Sequence, residues 1–209
     1  MQSKDHWNHV YTTKDSTNVS WFQAHASQSV DLIEQAHIAK DAEIIDVGGG
    51  ASTLVDDLLA RGYRHLTVLD LSDAALVVAR DRLAAKGAEG RDVSWIAGDI
   101  TRVALPVKQY DVWHDRAVFH FLTSEADRHA YVSAVLRAVK PGGLVIVATF
   151  AEDGPEQCSG LPVMRYSPDA LHAEFGAPFT LVQKAREEHQ TPWGATQKFI
   201  YCLCRKAQD

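Results

Sequence analysis

Clusters of positive charge are missing from this chain of 209 residues, in which 27 acidic side chains outnumber 21 basic ones for a net charge of −6. A sequence-independent nucleic-acid surface needs grouped Lys and Arg, so nucleic acid is not an expected partner. Cysteine is scarce as well. Cys158, Cys202 and Cys204 form an odd, sparse set, which excludes a disulfide framework and suits a reducing compartment. No apolar window reaches transmembrane length, and the opening MQSKDHWNHV has no apolar signal core, so the expected location is cytoplasmic, without a membrane partner. Internal repeats and low-complexity linkers are absent too. With 46% hydrophobic and 23% charged residues the composition is that of an ordinary globular chain with one substantial core.

What is present is organised around residues 44–52, IIDVGGGAS. Ile44 and Ile45 read as the end of a buried parallel strand, Gly48, Gly49 and Gly50 as a tight turn, and Ser52 with Thr53 as the opening of a helix continuing LVDDLLA. Glycines suit that turn because any Cβ would hold off a ligand approaching the backbone, and because such turns call for positive φ. A helix starting just behind the turn aims unpaired N–H groups over the loop. Asp46 stands where a dinucleotide fold usually carries an apolar residue. Asp70 ends a second strand, LTVLDLS, twenty residues past Gly50, where a carboxylate accepts both hydroxyls of a ribose. The cradle is therefore expected to bind an adenosine-containing ligand.

Ahead of the cradle, residues 1–28 are polar but carry Trp7, Tyr11, Trp21 and Phe22. Trp7 and Tyr11 share a face if helical, either pinning an N-terminal arm to the core or forming a flap over a bound cofactor. A sulfonium cation is attracted to ring faces, which gives the flap a chemical purpose. Ser29 is read as the cap of a helix over 30–38. Beyond the cradle a helix over 53–61 stops at Gly62, and Ser72 caps another that stops at Gly87. A third strand, 93–98, is followed by Asp99. A fourth strand is read over 110–113, with His114, Asp115 and Arg116 just beyond its carboxyl end and His120 in the next helical turn. Ligands of doubly wound sheets sit at that edge, so Asp115, Arg116 and His120 are the candidate catalytic residues; a buried ion pair of Asp115 with Arg116 or Arg128 is the structural alternative. A helix over 125–139 is expected to break at Lys140-Pro141-Gly142-Gly143, before a fifth strand, LVIVATF. Residues 151–168 read as an irregular loop, a candidate acceptor lid with Cys158, Met164, Arg165 and Tyr166. After a short helix at Ser167-Pro168 the chain ends in two strands, an antiparallel pair added to the sheet. Cys202 and Cys204 on one strand face read as core, so no metal site is expected.

Together, DVGGG at 46–50, LDLS at 69–72 and GDI at 98–100 resemble class I S-adenosylmethionine (SAM) dependent methyltransferases. The resemblance implies a Rossmann-like, doubly wound, mostly parallel seven-stranded α/β sheet with a C-terminal antiparallel hairpin and an N-terminal helical arm, divided as arm 1–28 and methyltransferase domain 29–209. It implies SAM as cofactor and S-adenosylhomocysteine as product. Cofactor contacts are then expected from Asp46, Gly48, Gly49, Gly50, Asp70, Leu71, Gly98, Asp99, Ile100 and Asp115, with Trp21 from the arm. Asp99 would accept from the adenine amine.

The arm, W-x-x-x-Y followed by SWF, resembles that of small methyltransferases related to the thiopurine and protein-lysine methyltransferases. The lysine enzymes carry an Asp-Lys-Gly-Thr-type string ending in a second acid. Here Asp115 and Arg116 fill the first two places, but His120 stands where the acid would lie. A histidine suits deprotonation of a thiol or hydroxyl, so a small-molecule acceptor methylated on S, N or O is favoured, with Arg116 as a possible anchor for an acidic one. A protein-lysine substrate, a SAM-binding module without turnover and a nicotinamide dehydrogenase are the rival readings. The Asn/Asp-Pro-Pro-Tyr/Phe motif of amide methylation is absent. Oligomeric state is open between monomer and homodimer.

Overall fold

Period-two alternation of apolar side chains along the strands produces two buried sheet faces, and the helices divide between them. The structure, a computed structural model, describes residues 4–87 and 93–208; the first three residues of the expected arm lie outside it. Seven strands form the main sheet: β1 (Glu43–Val47), β2 (His65–Asp70), β3 (Val93–Ala97), β4 (Tyr110–Arg116), β5 (Val139–Phe150), β8 (Phe179–Gln190) and β9 (Thr196–Lys206). Their order is β3-β2-β1-β4-β5-β9-β8. The first five run parallel, while β9 is antiparallel to β5 and to β8. The expected sheet and its C-terminal antiparallel pair are both present.

Ile44, Leu66, Val68, Val112 and Ile146 face one layer with α2 (Ser27–Gln35), α3 (Leu54–Ala60) and α4 (Asp73–Ala85). Ile45, Val47, Leu69, Trp113, Val145 and Val147 face the other, with α5 (Glu125–Ala138) and α6 (Pro168–Phe175). Strands covered on both faces read as near-continuous apolar runs, which is why these segments were legible. The strand order reverses direction between β1 and β4, and their carboxyl ends open a crevice there. The arm contains α1 (Lys4–Thr13), which packs on α4; the expected division at residue 28 falls in the first turn of α2.

Four local expectations are corrected. Ser29 does not cap α2. Its hydroxyl is buried against His114, and the Asp57 carboxylate of α3 accepts from the Ala26 N–H at 2.8 Å and so closes the helix end. Strand β4 runs on through Arg116, because His114 and Arg116 are paired in the sheet with Ile146 and Ala148. Lys140–Gly143 do not turn the chain; they bulge within β5, opposite the register shift between Tyr110 and Val112, and the Lys140 ammonium reaches Asp111 at 2.7 Å. Residues 151–168 hold a small hairpin of β6 (Gln157–Cys158) and β7 (Leu161–Pro162).

A carboxylate borrowed from a neighbouring helix is a cap that local sequence cannot reveal. Asp57→Ala should lower the unfolding free energy by about 1–2 kcal/mol, measured by urea denaturation, because it strips the end of α2 as loss of an N-cap does.

Candidate active site

The crevice at the β1–β4 switch opens into a cavity of about 940 Å³, open solvent at its mouth included. Its floor is backbone. Gly48 has φ +70°, and a Cβ there would come 1.9 Å from the Val118 side chain. Glycine is thus demanded by inner packing as well as by φ, rather than only by an approaching ligand. Gly50, at φ +36°, does not line the cavity; a Cβ on it would sit 2.7 Å from the Asp70 carboxyl, so it makes room for that acid. Gly49 borders a second, smaller cavity of about 570 Å³, which shares Gly48, Tyr11, Trp21 and Arg116 with the first.

Of the expected cofactor contacts, Trp21, Gly48, Asp70, Leu71, Gly98, Asp99 and Ile100 line the larger cavity. Asp70 accepts the Ser72 N–H at 2.7 Å. Burial, with Asp46 adding, pushes its carboxyl up to about 7. A buried, under-partnered carboxyl facing a cavity calls for donors, and ribose hydroxyls fit it. Asp99 holds its own turn through Thr101 and lines the same wall. Asp46 borders the smaller cavity. It accepts from His114 Nδ1 at 2.7 Å, and in the neutral ring Nε2 accepts from the Ser29 hydroxyl at 2.8 Å. The residues present therefore fit SAM.

Asp115 and His120, both expected at this site, line neither cavity. Side chains alternate across a strand, so Asp46, His114 and Arg116 face one layer and Asp115 the opposite one. Asp115 is fully buried and accepts from Tyr131 at 2.6 Å, Val118 N at 2.9 Å and Phe119 N at 3.1 Å. Burial raises it to about 6. Its work is structural: it pins the turn, including Ala117 at φ +73°, that presents Val118, Phe121 and Leu122 to the cavity. His120 lies behind Phe121 against Phe150, its Nδ1 accepting the Phe150 N–H at 3.3 Å and its Nε2 unpartnered. Burial, and then Arg116, push it down to about 3. Such an imidazole is a poor base at neutral pH.

Arg116 does reach both cavities. Its guanidinium meets Glu187 at 3.2 Å and the Tyr201 oxygen at 3.0 Å, lies 4.1 Å over Phe199, and touches the Trp21 carbonyl at 3.4 Å. Of the expected lid, Cys158 lines the cavity, whereas Tyr166 is core and Arg165 pairs with Glu156. Met164 packs on the core, its N–H bonded to the His120 carbonyl at 2.7 Å. The arm supplies the roof. Trp7, Tyr11 and Trp21 line the cavity, Trp7 packs edge-on to Trp21 and Phe121, and the Trp21 Nε1 donates to the Tyr11 oxygen at 3.2 Å. Ser72 donates to Asn8, Gln23 to Glu187, and His189 to the Ser20 carbonyl, which seats the arm. Sequence reading missed Glu187, Tyr201, Phe121 and Ser29, since each is brought in by tertiary contact and stands in no local motif.

Residues 44–143 match a methyltransferase domain. Zebrafish EEF1A lysine methyltransferase 2 is 26% identical over 163 residues, 71% of this chain and 69% of that protein. The ubiquinone/menaquinone biosynthesis C-methyltransferase of Shewanella halifaxensis is 26% identical over 141 residues, 65% of this chain; the chain spans about half, 53%, of that relative's length. A structure solved in work on conversion of a disulfide bond into a thioacetal group during echinomycin biosynthesis superposes with a TM-score of 0.80 at 19% identity, covering 99% of this chain and 93% of the other. The Burkholderia thailandensis 1,6-didemethyltoxoflavin-N1-methyltransferase, solved with its 1,6-didemethyltoxoflavin and S-adenosylhomocysteine, gives 0.71 at 19% identity over 98% and 87%.

The proton balance of His120 is measurable. The unfolded chain takes up this proton below 6.5 and the folded one only near 3, so the stability that the neutral ring contributes is full above 6.5 and is lost as pH falls from 6.5 toward 3. Asp115 acts oppositely, its contribution being lost as pH rises from 3.8 through about 6, but equally with and without His120. His120→Gln should therefore unfold with a shallower loss of stability across that acid range than the parent, by denaturant titration at each pH.

Proposed function

We propose that this chain, a class I SAM-dependent methyltransferase, transfers the methyl group of SAM to a sulfur, nitrogen or oxygen nucleophile of a small molecule seated beneath its N-terminal arm. The observation that carries this reading is the roof: Trp7, Tyr11 and Trp21 share one cavity with Asp70 and Asp99. In this reading residues 1–28 are a closing arm and residues 29–209 the transferase domain.

When bound, SAM supplies an electrophilic methyl group on a sulfonium cation. Asp70 accepts from the ribose hydroxyls and Asp99 from the adenine amine, while Asp46, held by His114, takes the amino-acid end. The arm's rings attract the cation and exclude water. Methyl transfer is an in-line displacement, in which positioning dominates; well-oriented reactions reach effective molarities of about 10⁵ M or more. Asp115 and His120 act on position, through the 117–122 turn and through Phe150.

A protein-lysine acceptor has the zebrafish relative in its favour. Against it, a lysine would have to pass beneath the clamped arm. Methyl-labelled SAM incubated with the protein and a lysate of its source organism separates the two: label in the small-molecule fraction is expected, and label confined to a protein band would overturn this reading. Asp70→Asn should weaken SAM affinity by roughly 10- to 100-fold in calorimetry, since hydrogen bonds to a charged group contribute about 1.5–3 kcal/mol.

A further inference from the structure

The amino-acid end of SAM is a zwitterion, and each of its two charges needs a partner inside a cavity. In the proposed placing of the cofactor, on which this inference rests, Asp46 takes that end and suits its α-ammonium group. The α-carboxylate beside it requires a cation. We infer that Arg116 is the counter-charge of that carboxylate, and that through it the site selects SAM over analogues lacking the carboxyl group.

Charge leaves few alternatives. The walls of the two cavities carry Asp46, Asp70, Asp99 and Asp127. A further carboxylate set unpaired among them would be repelled, and stripping it of water is costly. Arg116 is the one lysine or arginine on either wall among the described residues, and it stands on both. His114 borders the smaller cavity, but its two ring nitrogens are engaged by Asp46 and Ser29.

The glycine turn is no substitute. Such turns ordinarily offer their N–H groups to an anion. Here the Gly48 and Gly49 N–H groups both donate to the Leu69 carbonyl, at 2.7 and 3.2 Å, and that of Ser52 donates to the Gly49 carbonyl at 2.6 Å. Two side chains of the smaller cavity are engaged in the same way. Gln23 donates to Glu187 at 2.6 Å, and the Thr53 hydroxyl to the Gln23 carbonyl at 3.0 Å.

Arg116, by contrast, has donors to spare. A guanidinium carries five N–H bonds. Glu187 and Tyr201 occupy one edge of it. Nε meets the Tyr201 oxygen at 3.0 Å and Glu187 Oε2 at 3.3 Å, and Nη2 meets the same Oε2 at 3.2 Å. Nη1 has the Trp21 carbonyl alone, at a long 3.4 Å. One hydrogen on each terminal nitrogen is thus left over among the described residues. Bonds from a guanidinium to a carboxylate are the strong, charge-assisted kind.

The full chain is titrated by calorimetry with SAM and with decarboxylated SAM, which keeps adenosine, sulfonium and amine and lacks the α-carboxyl group. SAM should bind about 10- to 100-fold tighter, the range expected when a charge-assisted pair is lost. Arg116→Gln also loosens the arm, so both ligands weaken; the readout is their ratio, and the preference for SAM should vanish. A purely structural Arg116 would weaken both alike, so a parent-like ratio in Arg116→Gln would overturn the inference. Equal binding of the two ligands to the parent would do the same. Glu187→Gln keeps the hydrogen-bonding shape and removes the competing carboxylate, so its preference for SAM should exceed the parent's. An unchanged or lower preference there counts against the inference even where Arg116→Gln does not fold. Failure of the parent to bind SAM at all would overturn the cofactor's placing, and the inference with it.

Discussion

A single buried guanidinium fixes the geometry of this molecule's working end. Arg116 sits at the last residue of β4, under the arm, where burial works against its charge; Tyr201 and Glu187 more than offset that cost, and the group is held above its ordinary value. Taking a guanidinium out of water demands a paired carboxylate and further hydrogen bonds. Here they come from both strands of the C-terminal hairpin, Glu187 on β8 and Tyr201 on β9, and from the Trp21 carbonyl of the arm. The two strands appended to the parallel sheet therefore deliver the charge that lets β4 and the arm meet. Gln23, bonded to Glu187 at 2.6 Å, extends the same node along the arm.

The alternation of the strands then sorts the polar residues by task. Asp46 and His114 are register partners on neighbouring strands and lie on one face, where they and Ser29 form a continuous hydrogen-bonded line beside the glycine turn. Asp115, one residue on, is turned to the other face and joined by Tyr131, which itself receives the Trp113 Nε1 hydrogen at 2.9 Å. Two carboxylates at equivalent strand ends thus hold different offices. One borders a cavity, and the other sets the backbone turn that walls it.

The elements legible in the sequence were those governed by short-range rules. Glycine at positive φ, serine caps at Ser72 and Ser167 and apolar strand runs are local signals, and the spacing from Gly50 to Asp70 follows from one strand–turn–helix–strand unit. Asp70, Asp99 and the arm's rings could be placed on one cavity for that reason. His120 and Asp115 could not be ruled out, because polar density within seven residues looks alike whether it faces a cavity or closes a turn. Strand phase decides the matter for Asp115, and its phase was hidden by reading β4 three residues short. Ser29 misled in the same way: a serine near a helix start is a cap by default, and only the partner across the sheet, His114, shows otherwise.

The arm's attachments have a temporal meaning. Asn8 hangs on Ser72, His6 on Ser159, Ser20 on His189, Gln23 on Glu187 and, through its carbonyl, on Thr53. Each is a modest bond, yet together they tie the arm to four separate elements. In the proposed reading the arm roofs the larger cavity, so those bonds must part before that side of it can open.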